Sequence, residues 1–193
     1  MFLSCYSYGD SKGRYSFAQR QRLWRQGVHA FFRTAASLEI MGDCGAFSYI
    51  REAYPPFTPD EIIDFYEHCH FDYGISVDHV VLGFQSSIED ACLPSRNDVP
   101  PEWHRRQEIT LALADEFARR CLARKVHFIP LGVAQGWSPT SYASAVTQLQ
   151  KMGYRRIALG GMVPVKTHAI LFQFYHLRGI AGFSLRVLKC KAA

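Results

Sequence analysis

Four stretches of this 193-residue chain each end an apolar run in a group that can trade hydrogen bonds or protons. "LEIMGDCGAF" sets Asp43 among glycine, cysteine and alanine, and "YGISVDH" closes on Asp78 and His79. "PLGVAQG" closes on Gln135, and "RRIALGG" on Gly160 and Gly161. Small neighbours let the backbone turn tightly at Asp43 and let a ligand come close. Carboxylates accept from N–H groups, an amide both donates and accepts, and a glycine pair offers bare backbone N–H groups. That inventory suits the edge of a purine. A carboxylate takes the ring N–H and exocyclic amine of guanine, while an amide and a backbone N–H serve its carbonyl. Two acids at one mouth would also repel each other, raising one pKa into a range useful for proton transfer. Taken singly, each residue is explained as well by a turn or a helix cap. Their coincidence at equivalent places is what argues for a site.

Such a set needs strands that stop at one edge, and strand and helix patterns alternate about five times along the chain. "MFLSCYSY" reads as a short strand, and residues 16–33 as a helix with Phe17, Leu23, Trp24, Val28, Phe31 and Phe32 loosely on one face. Residues 38–42 form the next strand candidate. "TPDEIIDFYEHC" starts a helix with Thr58 as N-cap, Pro59 at the first position and Glu61 completing a capping box. Residues 73–79 are a strand, and residues 102–125 a helix with Ile109, Leu113, Phe117 and Cys121 at four-residue spacing. A strand then runs to Gln135, Ser138 and Pro139 open a helix that Gly153 stops, and "RRIALGG" is a further strand.

This alternation predicts an α/β protein with a parallel sheet. A doubly wound sheet and a β/α barrel both satisfy it, but functional groups drawn from the ends of several consecutive strands favour the barrel. Eight units need about 250 residues, so the expected fold is a partial (β/α)8 TIM-type barrel of about five βα units.

All 17 acids lie at or before Glu116, beside 10 basic residues, and the other 12 Lys and Arg follow with no acid among them. A cationic C-terminal part suits a polyanion such as nucleic acid, and equally a solvated basic surface. Residues 12–33 interleave six basic residues with Tyr15, Phe17, Trp24, Phe31 and Phe32; an amphipathic helix with a basic outer face accounts for them more simply than nucleic-acid contact. No apolar run of about 18 residues predicts a membrane span. The start lacks the pattern of a secretory signal, so the expected location is the cytoplasm.

The six cysteines are scattered and never spaced as C-x-x-C, which predicts reduced, mostly buried thiols rather than a zinc knuckle or disulfide framework. "EHCHFD" gathers His68, Cys69 and His70, but the two histidines diverge at a helix end. His79 and His127 could imitate a metal hydrolase mouth, although His127 stands near a strand start. Cys44 with His79 as its base would be a thiol hydrolase pair without a third member.

Four ordered motifs, "MGDCGAFSY", "DYGISVDH", "PLGVAQGWSPTSY" and "YRRIALGGMVP", resemble the tRNA-guanine transglycosylase superfamily over residues 38–167. The likeness is strongest to its DNA-acting branch, which places 7-deazaguanine bases in DNA. The resemblance implies a β/α barrel that exchanges guanine in DNA or tRNA for a 7-deazaguanine through a covalent sugar-enzyme intermediate. It implies that Asp43 is the general acid/base and also touches the base, and that Asp78 binds the guanine N1 and amine edge. Gln135 and the Gly160-Gly161 backbone would hold the carbonyl side. The first motif reads D-C-G-A-F-S, with Cys44 and Ala46 in place of a serine and a glycine, and Trp137 follows Gln135-Gly136 where tRNA enzymes have glycine. Both changes lean towards the DNA branch.

The family's nucleophilic aspartate lies beyond the Gly-Gly motif, and its zinc site of three cysteines and a histidine lies further on. Here no carboxylate follows Glu116 and only Cys190 remains, so neither the nucleophile nor a zinc site, nor any other cofactor, is assigned. Retentive displacement at C1′ requires an attacking carboxylate. Residues 1–167 are therefore expected to be an incomplete transglycosylase-like barrel, and residues 168–193 an atypical basic tail, frameshifted or not. Either a second chain completes the barrel or the protein is a non-catalytic base-binding remnant. An open barrel is also expected to be poorly soluble alone.

Overall fold

The computed structural model describes residues 2–4, 15–84 and 99–162. Five strands, β1 (Phe2–Ser4), β2 (Met41–Asp43), β3 (Tyr73–Ile75), β4 (Ile129–Ala134) and β5 (Ile157–Leu159), are described. Helices α1 (Phe17–Phe32), α2 (Pro59–His68), α3 (Pro101–Arg124) and α4 (Pro139–Lys151) alternate with them, and a short 3-10 turn, Ala46–Tyr49, follows β2. The expected tail at residues 168–193, and Cys5, Cys92 and Cys190, lie outside the described residues.

Local signals start three of the helices. Ser16 with Gln19, Thr58 with Glu61 and Ser138 with Ser141 close reciprocal capping boxes, which satisfy N–H groups that have no partner within a helix. Three expectations shift. The strand expected over residues 73–79 ends at Ile75. The strand expected over residues 38–42 begins only at Met41, because the Ile40 N–H is taken by Asp72 Oδ2 at 2.7 Å instead of a neighbouring strand, and Leu38 is exposed. Helix α1 is interrupted at Gly27, whose φ of 75° breaks the helical phase while the Val28 N–H donates to Cys69 O at 2.8 Å. The aromatic face read across residues 16–33 is therefore not one face: Leu23 and Val28 are buried, whereas Phe17 is 69% exposed.

The sheet order is β1-β2-β3-β4-β5 with every neighbouring pair parallel. A doubly wound sheet would reverse its order at a switch point and carry helices on both faces. Here no reversal occurs among the described strands. The main core joins Leu23 and Val28 of α1, Ile62, Phe65 and Tyr66 of α2, Phe117 of α3, and Val146 and Leu149 of α4 on one side of the sheet. The opposite side holds a cluster of strand residues only, Ile75, Leu131 and Val133 with Met41, Tyr73 and Ala158 around them. Sequential parallel strands with helices on one face fit a partial TIM-type fold.

Glycines set how closely the helical layer approaches. Gly42 and Gly74 are register partners on β2 and β3. The Tyr66 ring of α2 lies across both, so that a Cβ on Gly42 would stand 2.2 Å from it. The Tyr66 hydroxyl donates to Ile75 O at 3.0 Å. Outside the core, Arg120 and Arg124 of α3 pair with Asp60, Asp64 and Glu67 of α2. No helix among the described residues is long and apolar enough to cross a membrane.

Candidate functional site

Alternation along each strand decides which side chains reach the face away from the helices. Gly42 faces the helical layer, so Met41 and Asp43 point the other way, and Asp43 is the last residue of β2. Asp78 stands three residues beyond β3, Gln135 directly follows β4, and Gly160 and Gly161 directly follow β5. All five sequence-derived residues thus leave the same edge of the sheet.

Asp78 and Gln135 meet. The Gln135 Nε2 donates to Asp78 Oδ2 at 2.5 Å, and Gln135 Oε1 accepts from the Val81 N–H at 3.1 Å. Gln135 is 1% exposed and Asp78 5%. From the other side, Cys44 Sγ donates to Asp78 Oδ1 at 2.9 Å. Each carboxylate oxygen therefore has one protein donor and keeps a second acceptor direction. Gly160 presses on the amide: a Cβ there would stand 2.1 Å from Gln135 Nε2. The Gly160 N–H, however, donates to Ala134 O at 2.9 Å. Gly160 thus supplies room rather than a free donor. At Gly161, with φ of 69°, a Cβ would stand 2.3 Å from Val81 O.

The electrostatics follow from two acids sharing a site with little water. Burial, and then the Asp78 carboxylate, push the half-buried Asp43 carboxyl up to about 7, against the backbone N–H groups of Gly45 and Cys44 that hold it down. Burial also raises Asp78, and the donors from Cys44 and Gln135 oppose that rise. The Cys44 thiol is driven well above its ordinary value by burial and by both carboxylates. It is consequently a protonated donor, not a thiolate. Its supposed base is elsewhere engaged: His79 Nε2 lies 2.9 Å from Glu52 O, and His79 Nδ1 has no partner. The thiol hydrolase pair is overturned by this geometry. Of the other histidines, His68 stacks on Trp24 and His70 lies beside His127. Among the described residues no three His, Cys, Asp or Glu side chains converge on a metal position.

Several supporting residues escaped sequence reasoning. The Tyr49 hydroxyl lies 3.1 Å from Cys44 Sγ and 3.0 Å from Asp78 O, donating to both in shared fashion. Arg106 of α3 reaches inwards to donate to Val80 O at 2.9 Å and Ile50 O at 2.8 Å while pairing with Glu102. Thr110 Oγ1 accepts from the His79 N–H at 2.9 Å, and Gln107 Nε2 donates to Gln135 O at 2.7 Å. These bonds lash the segments after β2, β3 and β4 to one helix. In sequence, "HRRQEIT" is an ordinary polar helix face, and nothing in it marks Arg106 or Gln107 as inward. Cys44 alone carried a signal, its place beside Asp43.

Chemically, the arrangement offers a near-neutral proton donor and acceptor, Asp43, next to a fixed carboxylate-amide pair that can face a ring bearing adjacent N–H and C=O groups. No family model matches the chain. Over 163 residues the chain is 43% identical to a DNA-guanine transglycosylase of Salmonella montevideo, a match that covers 84% of this chain and 38% of that protein. The chain thus spans little more than a third of the length of the curated relative it matches. This relative bears out the resemblance read in the four motifs, including its leaning towards the DNA-acting branch.

Proposed function

From the homology of this chain to the DNA-acting branch of the transglycosylase superfamily, we propose that it carries the base-recognition half of a guanine-exchanging site, for DNA in preference to tRNA. The observation that carries this is the Asp78–Gln135 pair, joined at 2.5 Å across neighbouring strand exits and nearly sealed from water. The free acceptor directions of Asp78 take the N1–H and amine of guanine or of a 7-deazaguanine. The Gln135 amide and the Gly161 backbone flank the carbonyl side, with Gly160 kept small so that the amide can stand where it does. Asp43, with its carboxyl at about 7, gives a proton to the departing base and takes one from the incoming base.

Exchange with retention at C1′ runs through a covalent sugar-carboxylate intermediate. No carboxylate follows Glu116 within residues 1–193, so the base-recognition half proposed here is assigned no attacking group. The zinc that the family implies finds no ligand set among the described residues, and no step is assigned to it. A second reading, base binding without exchange, rests on the same Asp78–Gln135 pair.

Calorimetric titration with guanine and a 7-deazaguanine separates both readings from none. Wild type should bind, and Asp78→Asn should weaken binding roughly tenfold or more, because it removes a charged acceptor from two hydrogen bonds. No binding at millimolar base, or equal binding by Asp78→Asn, refutes the pocket.

A further inference from the structure

We propose that Cys44, backed by Tyr49, is the positioning residue of Asp78: its thiol hydrogen fixes the carboxylate's rotation and keeps it ionised for the base. The proposal deepens the reading above and rests on it for the identity of the ligand.

The geometry is a continuous chain of donors. The Tyr49 hydroxyl donates towards Cys44 Sγ at 3.1 Å, Cys44 Sγ–H donates to Asp78 Oδ1 at 2.9 Å, and Gln135 Nε2 closes on Asp78 Oδ2. Cys44 is 0% exposed and Tyr49 2%, so neither group can exchange its partner for water. A carboxyl group with one oxygen held can still rotate about its last bond; one held from both sides cannot. A thiol is a weak donor, and a hydroxyl hydrogen aimed at its sulfur polarises S–H and strengthens the donation. Tyr49 also donates to the Asp78 carbonyl, tying the main chain of the residue whose side chain Cys44 holds. The thiol therefore has a task in the site without being a nucleophile. The same donors work against the burial that raises Asp78. Loss of the thiol should leave more of Asp78 protonated at neutral pH, and a protonated oxygen cannot accept from N1–H.

The test follows the Asp78 carboxyl directly by carbon NMR of protein labelled at aspartate, assigned with Asp78→Asn, together with guanine titration across pH. In Cys44→Ala the Asp78 titration should move to higher pH, and guanine affinity at neutral pH should fall about tenfold, with the acid limb of binding displaced in the same direction. Cys44→Ser, which keeps a donor in place, should restore both. Tyr49→Phe should shift the titration the same way by less, and carries the test should Cys44→Ala fail to fold. An unmoved Asp78 titration in folded Cys44→Ala, or Cys44→Ser behaving like Cys44→Ala, overturns the proposal. If the titration moves as expected but wild type takes no guanine, positioning stands and the base-exchange reading falls.

Discussion

Asp43 is the residue whose chemistry is most exposed to measurement. Its carboxyl is raised from 3.8 to about 7, so the folded protein holds that proton more tightly than the unfolded chain does between those values. Stability from this group is complete below about pH 4 and is lost as pH rises towards 7. Asp78, also raised, acts with the same sign. In urea unfolding, wild type should lose about 4 kcal/mol across this window, at about 1.4 kcal/mol for each of the roughly three units of displacement. Asp43→Asn should show a much shallower slope and exceed wild type in stability at pH 8. A flat wild-type profile would remove the case for an Asp43 carboxyl raised by desolvation and by Asp78. Asp43, Asp78 and Gln135 were legible because each closes an apolar run, a pattern visible in a single line of sequence. Tyr49 and Arg106 were not, since their partners, Asp78 and Val80 or Ile50, stand 26 to 56 residues away.

Among the elements, those with local causes were legible and those decided by distant groups were not. Thr58 with Glu61 and Ser138 with Pro139 marked the starts of α2 and α4, because a cap and its N–H partners lie within one turn. The start of β2 was misplaced because Asp72, far along the chain, claims the Ile40 N–H. The break in α1 was missed because Gly27 is tolerated in a helix pattern, and only its docking against Cys69 and His70 reveals it. The approach of α2 to the sheet gives a sharp prediction. Gly74→Ala puts a methyl 2.4 Å from the Tyr66 ring and 2.7 Å from Phe128, neither of which can retreat through a packed core. Overpacking of this kind costs about 1–3 kcal/mol, read as a lower urea midpoint with an unchanged slope. Tolerance of Gly74→Ala without loss would mean that Tyr66 does not lie across the two glycines.

At the scale of the molecule, the sheet has helices on one side and a strand-only cluster of Ile75, Leu131 and Val133 on the other. Alternation of strand and helix made the α/β class legible, whereas the sequential strand order that fits a partial TIM-type fold became visible only in the sheet. Recognition and exchange should come apart in this chain. Incubated with DNA and radiolabelled guanine, residues 1–193 should bind the base yet place no label above background, because within them no carboxylate follows Glu116 to trap the sugar. Incorporation by these residues alone would locate the nucleophile among the acids already present. The strand order carries a further consequence for how the protein is made. Each strand pairs with the one before it, so during synthesis the sheet can grow by one unit as each emerges from the ribosome, with no wait for a distant partner. Asp43, Asp78, Gln135 and Gly161 leave in that order. The pocket can be assembled as soon as its last glycine is clear of the exit tunnel, and translation itself sets the sequence in which its walls arrive.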